Sequence, residues 1–229
     1  MSFIVGIDGP AGTGKGTVAK IISEDFGFIN IDTGATYRCV TLKAIENGIS
    51  INEPDKIIEI SKNIDIKLEN NNGKQEVYMD NKNVTREIRT KEVSALVSQV
   101  SAIKEVRFNM VDLQRKMAEN SNVIMEGRDI TTYVFPNADV KIYLDASEEE
   151  RAKRRYKENI EKGINSTYQE VLENIRLRDE NDKNKEIGAL KKADDAIVID
   201  TTNLTIEQVV EQVEEIIESK LKSEGVENV

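Results

Sequence analysis

The clearest chemistry in this sequence comes from a glycine-rich segment that contains one lysine, Gly9-Pro10-Ala11-Gly12-Thr13-Gly14-Lys15-Gly16-Thr17. Its glycines let the backbone curl so that successive N–H groups point inward at an anion, and a following helix adds its positive N-terminal end. Lys15 supplies a mobile positive charge for the outer phosphates of ATP, while the Thr17 hydroxyl can reach an accompanying Mg²⁺ ion. The segment therefore predicts a site that binds ATP and Mg²⁺.

The surroundings of this segment distinguish a phosphate loop from an ordinary glycine-rich turn. An apolar run at residues 3–7 precedes it, and a helical spacing of apolar residues follows at 18–22. The order of these features, which is strand, loop, lysine, hydroxyl and helix, favours a phosphate loop over a turn that merely joins two elements. Gly16 stands where a serine or threonine usually follows the lysine, and this Gly-Lys-Gly-Thr form resembles the loop of nucleoside monophosphate kinases.

Composition excludes several kinds of site. The 229 residues include no histidine, which rules out a Ser-His or Cys-His nucleophile and most catalytic zinc sites. The single cysteine, Cys39, cannot form an internal disulfide and fits a reducing compartment. The formal net charge of -10 repels nucleic acid and anionic membranes. Because no secretion signal and no apolar run near the roughly 18 residues of a membrane span is present, we expect a cytoplasmic monomer with small-molecule partners.

Short apolar runs alternate with longer helical patterns along the chain. The runs cover residues 3–7, 28–31, 122–125, 140–144 and 196–199. This rhythm predicts an α/β fold, a P-loop domain with three layers, α/β/α, around a five-stranded parallel sheet. Residues 65–84 instead alternate apolar and charged side chains around a turn at 70–73, which predicts a small antiparallel β insert. An amphipathic helix over 205–221, opened by a Thr205/Gln208 capping box, is expected to pack on the core.

A second motif ends the second predicted strand, at the edge of the sheet where ligands gather. It reads Asp32-Thr33-Gly34-Ala35-Thr36-Tyr37-Arg38, and together with the phosphate loop it resembles bacterial cytidylate kinases. The resemblance implies that Thr33, Tyr37 and Arg38 seat the acceptor nucleotide, with Arg38 on its phosphate. A guanidinium suits that task because its fork neutralises and orients a phosphate through two parallel hydrogen bonds. The alternative makes Asp32 and Thr33 a helix cap and Arg38 a solvated side chain.

The helical region 86–107 matches the same family through its Ile-Arg-Thr, Ser-Gln-Val and Val-Arg pattern. This resemblance implies that Ser98 and Arg107 approach the cytosine ring. Taken alone, each would be an ordinary residue of a helix surface.

A third motif, Glu126-Gly127-Arg128-Asp129, follows the third predicted strand and resembles the family's Gly-Arg-Asp. The resemblance implies that Arg128 contacts the acceptor phosphate and that Asp129 accepts a hydrogen bond from the cytosine amino group. A carboxylate there would repel the carbonyl oxygen of uracil, which gives a reason to prefer cytosine. Alternatively, Glu126 or Asp129 holds Mg²⁺ through water. Thr131 replaces a glycine of the family pattern.

Arginines cluster after the fourth predicted strand. Ser147 and Glu150 open a helix as a capping box, and Arg151, Arg154 and Arg155 follow on one face. The family's lid carries arginines here, which implies that Arg154 and Arg155 act on the migrating phosphoryl group. Ordinary ion pairs along an exposed helix are the alternative, each worth a few tenths of a kcal/mol.

Three residues further along complete the predicted acceptor site. Arg178 and Asp182 resemble the family's arginine and aspartate around the acceptor ribose. Lys185 stands in place of the next family arginine, and it keeps the positive charge but loses the fork.

The resemblance runs from about residue 3 to residue 218 and implies one nucleoside monophosphate kinase domain. Its parts are a core (1–60, 103–148 and 190–229), an acceptor-binding β insert (about 61–102) and a helical lid (about 149–189). The implied reaction moves the γ-phosphoryl group of ATP to CMP and dCMP, giving CDP or dCDP and ADP, with catalysis by Lys15, Arg128, Arg154 and Arg155. The alternatives are a small P-loop kinase for AMP, UMP or shikimate, and a P-loop nucleotide switch.

Overall fold

The computed structural model describes residues 2–71, 74–161, 163–223 and 225. The described strands are β1 (Ile4–Asp8), β2 (Ile29–Asp32), β3 (Ile66–Asn71), β4 (Lys74–Met79), β5 (Lys82–Asn83), β6 (Val123–Gly127), β7 (Val140–Asp145) and β8 (Ile197–Asp200). The described helices are α1 (Lys15–Asp25), α2 (Thr33–Glu46), α3 (Pro54–Asn63), α4 (Lys91–Val100), α5 (Lys104–Met117), α6 (Glu148–Glu161), α7 (Tyr168–Lys183) and α8 (Ile206–Ser223). Short turns of other helical types cover Glu87–Arg89 (3-10) and Ile130–Val134 (π).

Five strands form the main sheet in the order β2-β6-β1-β7-β8, and every neighbouring pair is parallel. The central strand β1 aligns Val5 with Ile124 on one side and with Val140 on the other. Because the strands are parallel, their carboxyl ends share one edge, and the phosphate loop and the segments after β2 and β6 all begin there. The predicted five-stranded parallel sheet is confirmed.

Apolar side chains cover both faces of this sheet, which is why its strands are almost continuously hydrophobic. On one face, Ile7 packs with Ile22 of α1 and Val213 of α8, all fully buried. On the other face, Met125 packs with Val111 of α5. The predicted amphipathic helix is confirmed as α8, and its capping box is present because Thr205 and Gln208 exchange hydrogen bonds.

The predicted antiparallel insert is confirmed as the three-stranded sheet β3-β4-β5. Leu68 of β3 faces Val77 of β4, and Ile66 faces Met79. The turn expected at 70–73 includes Asn72 and Gly73, which lie outside the described residues. The buried side chains of this sheet join those of α2, α3, α4 and α5 in a second apolar cluster.

Helices α6 and α7 pack against each other through a small apolar cluster of their own, which includes Ala152 and Leu172. Thr167 and Glu170 form a complete capping box at the start of α7. At the start of α6, Ser147 accepts a hydrogen bond from the Glu150 N–H. Within the described part of the chain, no helix is both long and apolar enough to cross a membrane.

The carboxylate of Asp8 fixes the turn that follows β6. Its oxygens accept hydrogen bonds from the Ile130 N–H (2.8 Å), the Thr131 N–H (2.7 Å) and the Thr131 hydroxyl (2.6 Å). Thr131, which departs from the family pattern, therefore contributes an additional bond at this place. Because Asp8 immediately precedes the phosphate loop and Ile130 follows Asp129, one buried carboxylate holds two parts of the predicted site in register.

We expect Asp8→Asn to lower the free energy of unfolding by about 2 kcal/mol, because an amide N–H₂ would face a backbone N–H in place of an acceptor. The matched control is Asp145→Asn at the exposed end of the neighbouring β7, where the carboxylate accepts from the Ala146 N–H. This control should change stability by less than about 0.5 kcal/mol. Urea unfolding monitored by circular dichroism compares the two, and equal losses would contradict the anchoring role of Asp8.

Candidate active site

The glycine-rich segment forms a loop between β1 and α1, and Lys15 is the first residue of α1. The Lys15 side chain is buried, and its Nζ donates a hydrogen bond across the loop to the Pro10 carbonyl at 2.7 Å. Burial, together with the nearby Arg128 guanidinium, lowers the pKa of Lys15 to about 7. The lysine is thus held inside the loop in an environment that disfavours its charge.

The glycine at position 16 leaves room for a neighbouring carboxylate. A Cβ atom added to Gly16 would lie 2.7 Å from Oε1 of Glu126, closer than a carbon and an oxygen can approach. The space that a serine or threonine side chain would fill is therefore taken by Glu126. A side chain at position 16 would displace the Glu126 carboxylate from this place. Thr17, one residue later, is exposed.

Glu126 lies at the end of β6, and its backbone carbonyl accepts a hydrogen bond from the Thr33 hydroxyl at 2.7 Å. Burial raises the pKa of Glu126 to about 7, and Asp32 contributes to this increase. Lys15 and Arg128 act in the opposite direction. The charges of Glu126 and Lys15 therefore stabilise each other beside the phosphate loop.

Asp182 of α7 organises two cations. One of its oxygens accepts from Nε of Arg128 at 3.0 Å and the other accepts from Nζ of Lys185 at 2.8 Å. Burial opposes the charge on Asp182, but Arg128 and Lys185 bring its pKa down to about 2. Arg178, one helical turn earlier, is desolvated and close to Arg128, so its pKa is lowered to about 10. The structure thus brings four of the predicted acceptor residues together.

Arg107 and Asp129 form a buried ion pair, with side chains 3% and 7% exposed. Arg107 also donates to the Ser101 carbonyl at 3.2 Å, and the Ser101 hydroxyl donates to the Ser98 carbonyl at 3.0 Å. The Tyr37 ring lies 5.2 Å from Cζ of Arg107, within range of a cation–π interaction. Ser98, Arg107 and Asp129, which are predicted to read the base, are therefore linked in one cluster with Tyr37.

Gly188 covers this ion pair. A Cβ atom added to Gly188 would lie 2.0 Å from an Nη atom of Arg107 and 2.3 Å from Oδ2 of Asp129. The residue also has a φ of +65°, in the left-handed region that favours glycine. The segment after α7 therefore reaches the Arg107–Asp129 pair only because position 188 has no side chain.

Arg38 is half-buried and donates to the Ile88 carbonyl at 3.2 Å and to the Ser94 hydroxyl at 3.1 Å. Burial lowers its pKa, and the nearby Arg89 is among the cations that add to the effect. Arg89 was not among the predicted site residues, although the Ile-Arg-Thr string contains it. Its guanidinium lies 3.6 Å from the Asp32 carboxylate, at the end of β2.

The arginines of α6 take three different positions. Arg154 donates to the carbonyl of Thr201 at 2.5 Å and to its hydroxyl at 3.0 Å, so it is attached to the loop after β8. Arg155 is half-exposed and pairs with Glu158 at 2.9 Å, yet its charge influences the pKa values of Arg38 and Arg178. Arg151, which sequence reasoning placed on the same face without a role, is buried.

The chain matches the profile of the family described as Cytidylate kinase over residues 5–219. It belongs to the cytidylate kinase family. A cytidylate kinase from Clostridioides difficile is 50% identical over 212 residues, covering 93% of this chain and 96% of that protein. One from Caldicellulosiruptor bescii is 47% identical over 220 residues, covering 96% of this chain and 97% of that protein.

Among solved structures, an uncharacterized protein from Eubacterium ventriosum superposes with a TM-score of 0.54 at 11% identity. The match covers 95% of this chain and 99% of that protein. At this low identity the likeness concerns the fold alone.

We predict that Gly188→Ala destabilises the protein more than Gly48→Ala does. Both glycines have a φ of +65°, but a Cβ at Gly48 would meet no atom within 4 Å. Each substitution should therefore lower the free energy of unfolding by about 1 kcal/mol, because alanine disfavours the left-handed backbone. Gly188→Ala should lower it by about 1–3 kcal/mol more, because its Cβ would clash with Arg107 and Asp129. Urea unfolding of the two variants measures the difference, and equal losses would show that the contact is not tight.

Proposed function

We propose that this chain transfers the γ-phosphoryl group of ATP to CMP and dCMP, giving CDP or dCDP and ADP. The observation that carries the proposal is the buried Arg107–Asp129 pair, which lies near enough to Arg128 and Lys185 for their charges to act on Asp129, while Arg128 also acts on Lys15 of the phosphate loop. This arrangement supplies a donor-phosphate site, cations for a second phosphate and a polar pair for a base. The names of the relatives support the same activity.

In the proposed mechanism, the phosphate loop binds the triphosphate through its backbone N–H groups and Lys15. Arg38 and Arg128 bind the acceptor phosphate, whose nearly two negative charges would otherwise repel the triphosphate. Burial of these cations strengthens their effect on the transferred group, because the local dielectric constant is low. Arg155 approaches from α6, and Arg154 would have to leave Thr201 to contact the phosphates.

Base selection is assigned to Asp129. Its carboxylate accepts from the exocyclic amino group of cytosine and repels the oxygen that uracil carries at the same place. Burial raises the pKa of Asp129, and the Arg107 guanidinium counteracts this effect and keeps the carboxylate oriented. Ser98 and Tyr37 complete the wall of this site. Because a base must reach Asp129, the Gly188 segment has to make room for it.

The ribose is assigned to Arg178 and Asp182, as the family resemblance implies. Both oxygens of Asp182 already accept from cations. A ribose hydroxyl would therefore donate to a remaining lone pair of the same carboxylate. The Asp182 carboxylate would then accept from the ribose hydroxyl as well as from Arg128 and Lys185.

Residues that fit a Mg²⁺ ion flank Gly16: the hydroxyl of Thr17 and the carboxylate of Glu126 are oxygen ligands of the kind that Mg²⁺ prefers. Asp129 fits less well, because Arg107 occupies its carboxylate. When bound, the ion would neutralise charge on the phosphates of ATP. Glu126 would then be held ionised by the cations around it.

The further assignments belong to the same proposal. The insert at 61–102 and the helical lid at 149–189 would close over the two nucleotides and exclude water, which would otherwise accept the phosphoryl group. We propose a monomer that works in the cytoplasm on small molecules, with no nucleic-acid partner, consistent with its net charge of -10.

A coupled assay of ADP formation tests the proposed function, with CMP, dCMP, UMP, AMP and shikimate as acceptors in the presence of ATP and Mg²⁺. We expect CMP and dCMP to give the highest kcat/KM. A higher value for AMP, UMP or shikimate would assign the chain a different acceptor, and ADP formation that needs no acceptor would indicate an ATPase. Lys15→Ala, folded but nearly inactive, checks that the phosphate loop carries the activity.

For the base site, we predict that Asp129→Asn narrows the ratio of kcat/KM for CMP to that for UMP, because the amide can donate toward the uracil oxygen. The scale is about 1–3 kcal/mol, or roughly 5- to 150-fold in the ratio. Arg38→Met is the comparison variant, since it should reduce kcat/KM for CMP and for UMP by the same factor. If Asp129→Asn also reduces kcat/KM for CMP and for UMP by the same factor, Asp129 acts on the phosphates or the metal instead of the base.

A further inference from the structure

Arg151 differs from the other arginines of α6 in its burial. Its side chain is 4% exposed, compared with 29% for Arg154 and 49% for Arg155. An arginine buried this deeply needs partners for its charge and its donors. The contacts of Arg151 therefore show what it holds together.

The Arg151 guanidinium contacts three parts of the chain, through two hydrogen bonds to carbonyls and one ion pair. Nε donates to the Ala146 carbonyl at 3.0 Å, just before α6 begins. Nη1 donates to the Ala11 carbonyl of the phosphate loop at 3.1 Å. The same Nη1 lies 2.7 Å from Oδ2 of Asp179 on α7. One guanidinium thus joins the phosphate loop to both helices of the predicted lid.

The fit between α6 and the phosphate loop is close at this point. A Cβ atom added to Gly12 would lie 3.1 Å from the Cβ of Arg151 and 3.3 Å from its carbonyl oxygen. A shift of α6 would therefore push against the loop at Gly12 or pull on it at Ala11. The loop and the helix move together or lose these contacts.

Asp179 connects the same guanidinium to the acceptor site. It follows Arg178 directly and precedes Asp182 by three residues on α7, so all three side chains are carried by the same stretch of helix. Its second oxygen, Oδ1, is buried and has no hydrogen-bond partner among the described residues. The pair thus joins α6 to α7 through a single oxygen of Asp179.

We propose that Arg151 and Asp179 are positioning residues that couple the donor and acceptor sites. Ligand binding in the phosphate loop fixes Ala11, Arg151 holds Asp179 against that loop, and α7 then presents Arg178 and Asp182 to the acceptor. Each nucleotide consequently binds more tightly when the other is present, and the coupling is reciprocal. The inference rests on the proposed function only for the identity of the two nucleotides.

The test is the dissociation constant of CMP, measured calorimetrically with and without a saturating ATP analogue that cannot transfer its phosphoryl group. For the parent protein we expect the analogue to tighten CMP binding at least about fivefold. For Arg151→Lys and Asp179→Asn the ratio should fall to nearly one, while each nucleotide alone binds within about threefold of the parent. We expect a fall in kcat that is larger than the change in KM for either substrate. The reason is that these variants disturb the alignment of the two nucleotides after both have bound.

A second ion pair provides the matched control. Arg176 on α7 pairs with Glu148 on α6 at 2.8 Å, but this bond lies at the surface. Arg176→Gln therefore removes a link between the same two helices and should keep the parent ratio. If the single variants do not fold, the double variant Arg151→Met/Asp179→Leu replaces the buried pair by apolar side chains, a change that such sites often tolerate.

Several results would overturn the inference. If the ATP analogue leaves the dissociation constant of CMP unchanged in the parent protein, the two sites are not coupled. Variants that keep the parent ratio would show that Arg151 and Asp179 do not carry it, and an equal loss in Arg176→Gln would assign it to general packing of the two helices. A parent protein that fails to bind CMP at all would instead refute the proposed function.

Discussion

The constraint on which the rest of this structure depends is the desolvation of positive charge at the carboxyl edge of the sheet. Lys15 and Arg178 both have pKa values lowered by burial, and each lies close to the Arg128 guanidinium. Water would stabilise these cations far better than the protein does, so the fold has to hold them in place by other means. The proposed function gives these cations phosphates as counter-charges.

Carboxylates form direct ion pairs with some of the buried cations at this edge, but not with Lys15 among the described residues. Asp182 accepts from both Arg128 and Lys185, and Asp179 pairs with Arg151. Lys15 instead donates to a backbone carbonyl, and the nearby Glu126 carboxylate acts on its pKa without a direct ion pair in the described part of the chain. In the proposed function, the ion pairs hold Arg128 and Lys185 in place, and bound phosphates would add negative charge beside Lys15.

The sequence allowed the elements to be predicted because their signals are local. Alternating apolar runs located the five parallel strands, and the placement of motifs after β2 and β6 followed from the rule that parallel strands share a carboxyl edge. The candidate site was assembled largely from family resemblance. Arg107 and Asp129 are 22 residues apart in the chain, and no spacing rule predicts that they form an ion pair.

Other features depend on side-chain directions that only tertiary packing determines. Helical spacing put Arg151, Arg154 and Arg155 on one face, yet their burial and partners all differ. Likewise, the contact of Gly16 with Glu126 joins the phosphate loop to a strand more than 100 residues away in the chain. Thr131 replaces a glycine of the family pattern, and only the structure shows that its hydroxyl adds a hydrogen bond to Asp8.

The most direct test of this account is the number of protons exchanged when an ATP analogue binds without Mg²⁺ at pH 8. Calorimetric titrations in buffers of different ionisation enthalpy give this number. Because burial lowers the pKa of Lys15 to about 7, the lysine is mostly neutral at pH 8, and phosphates should restore its proton. The account predicts a net uptake approaching about one proton, largely lost in Lys15→Met. Proton release, or equal uptake in both proteins, would contradict it.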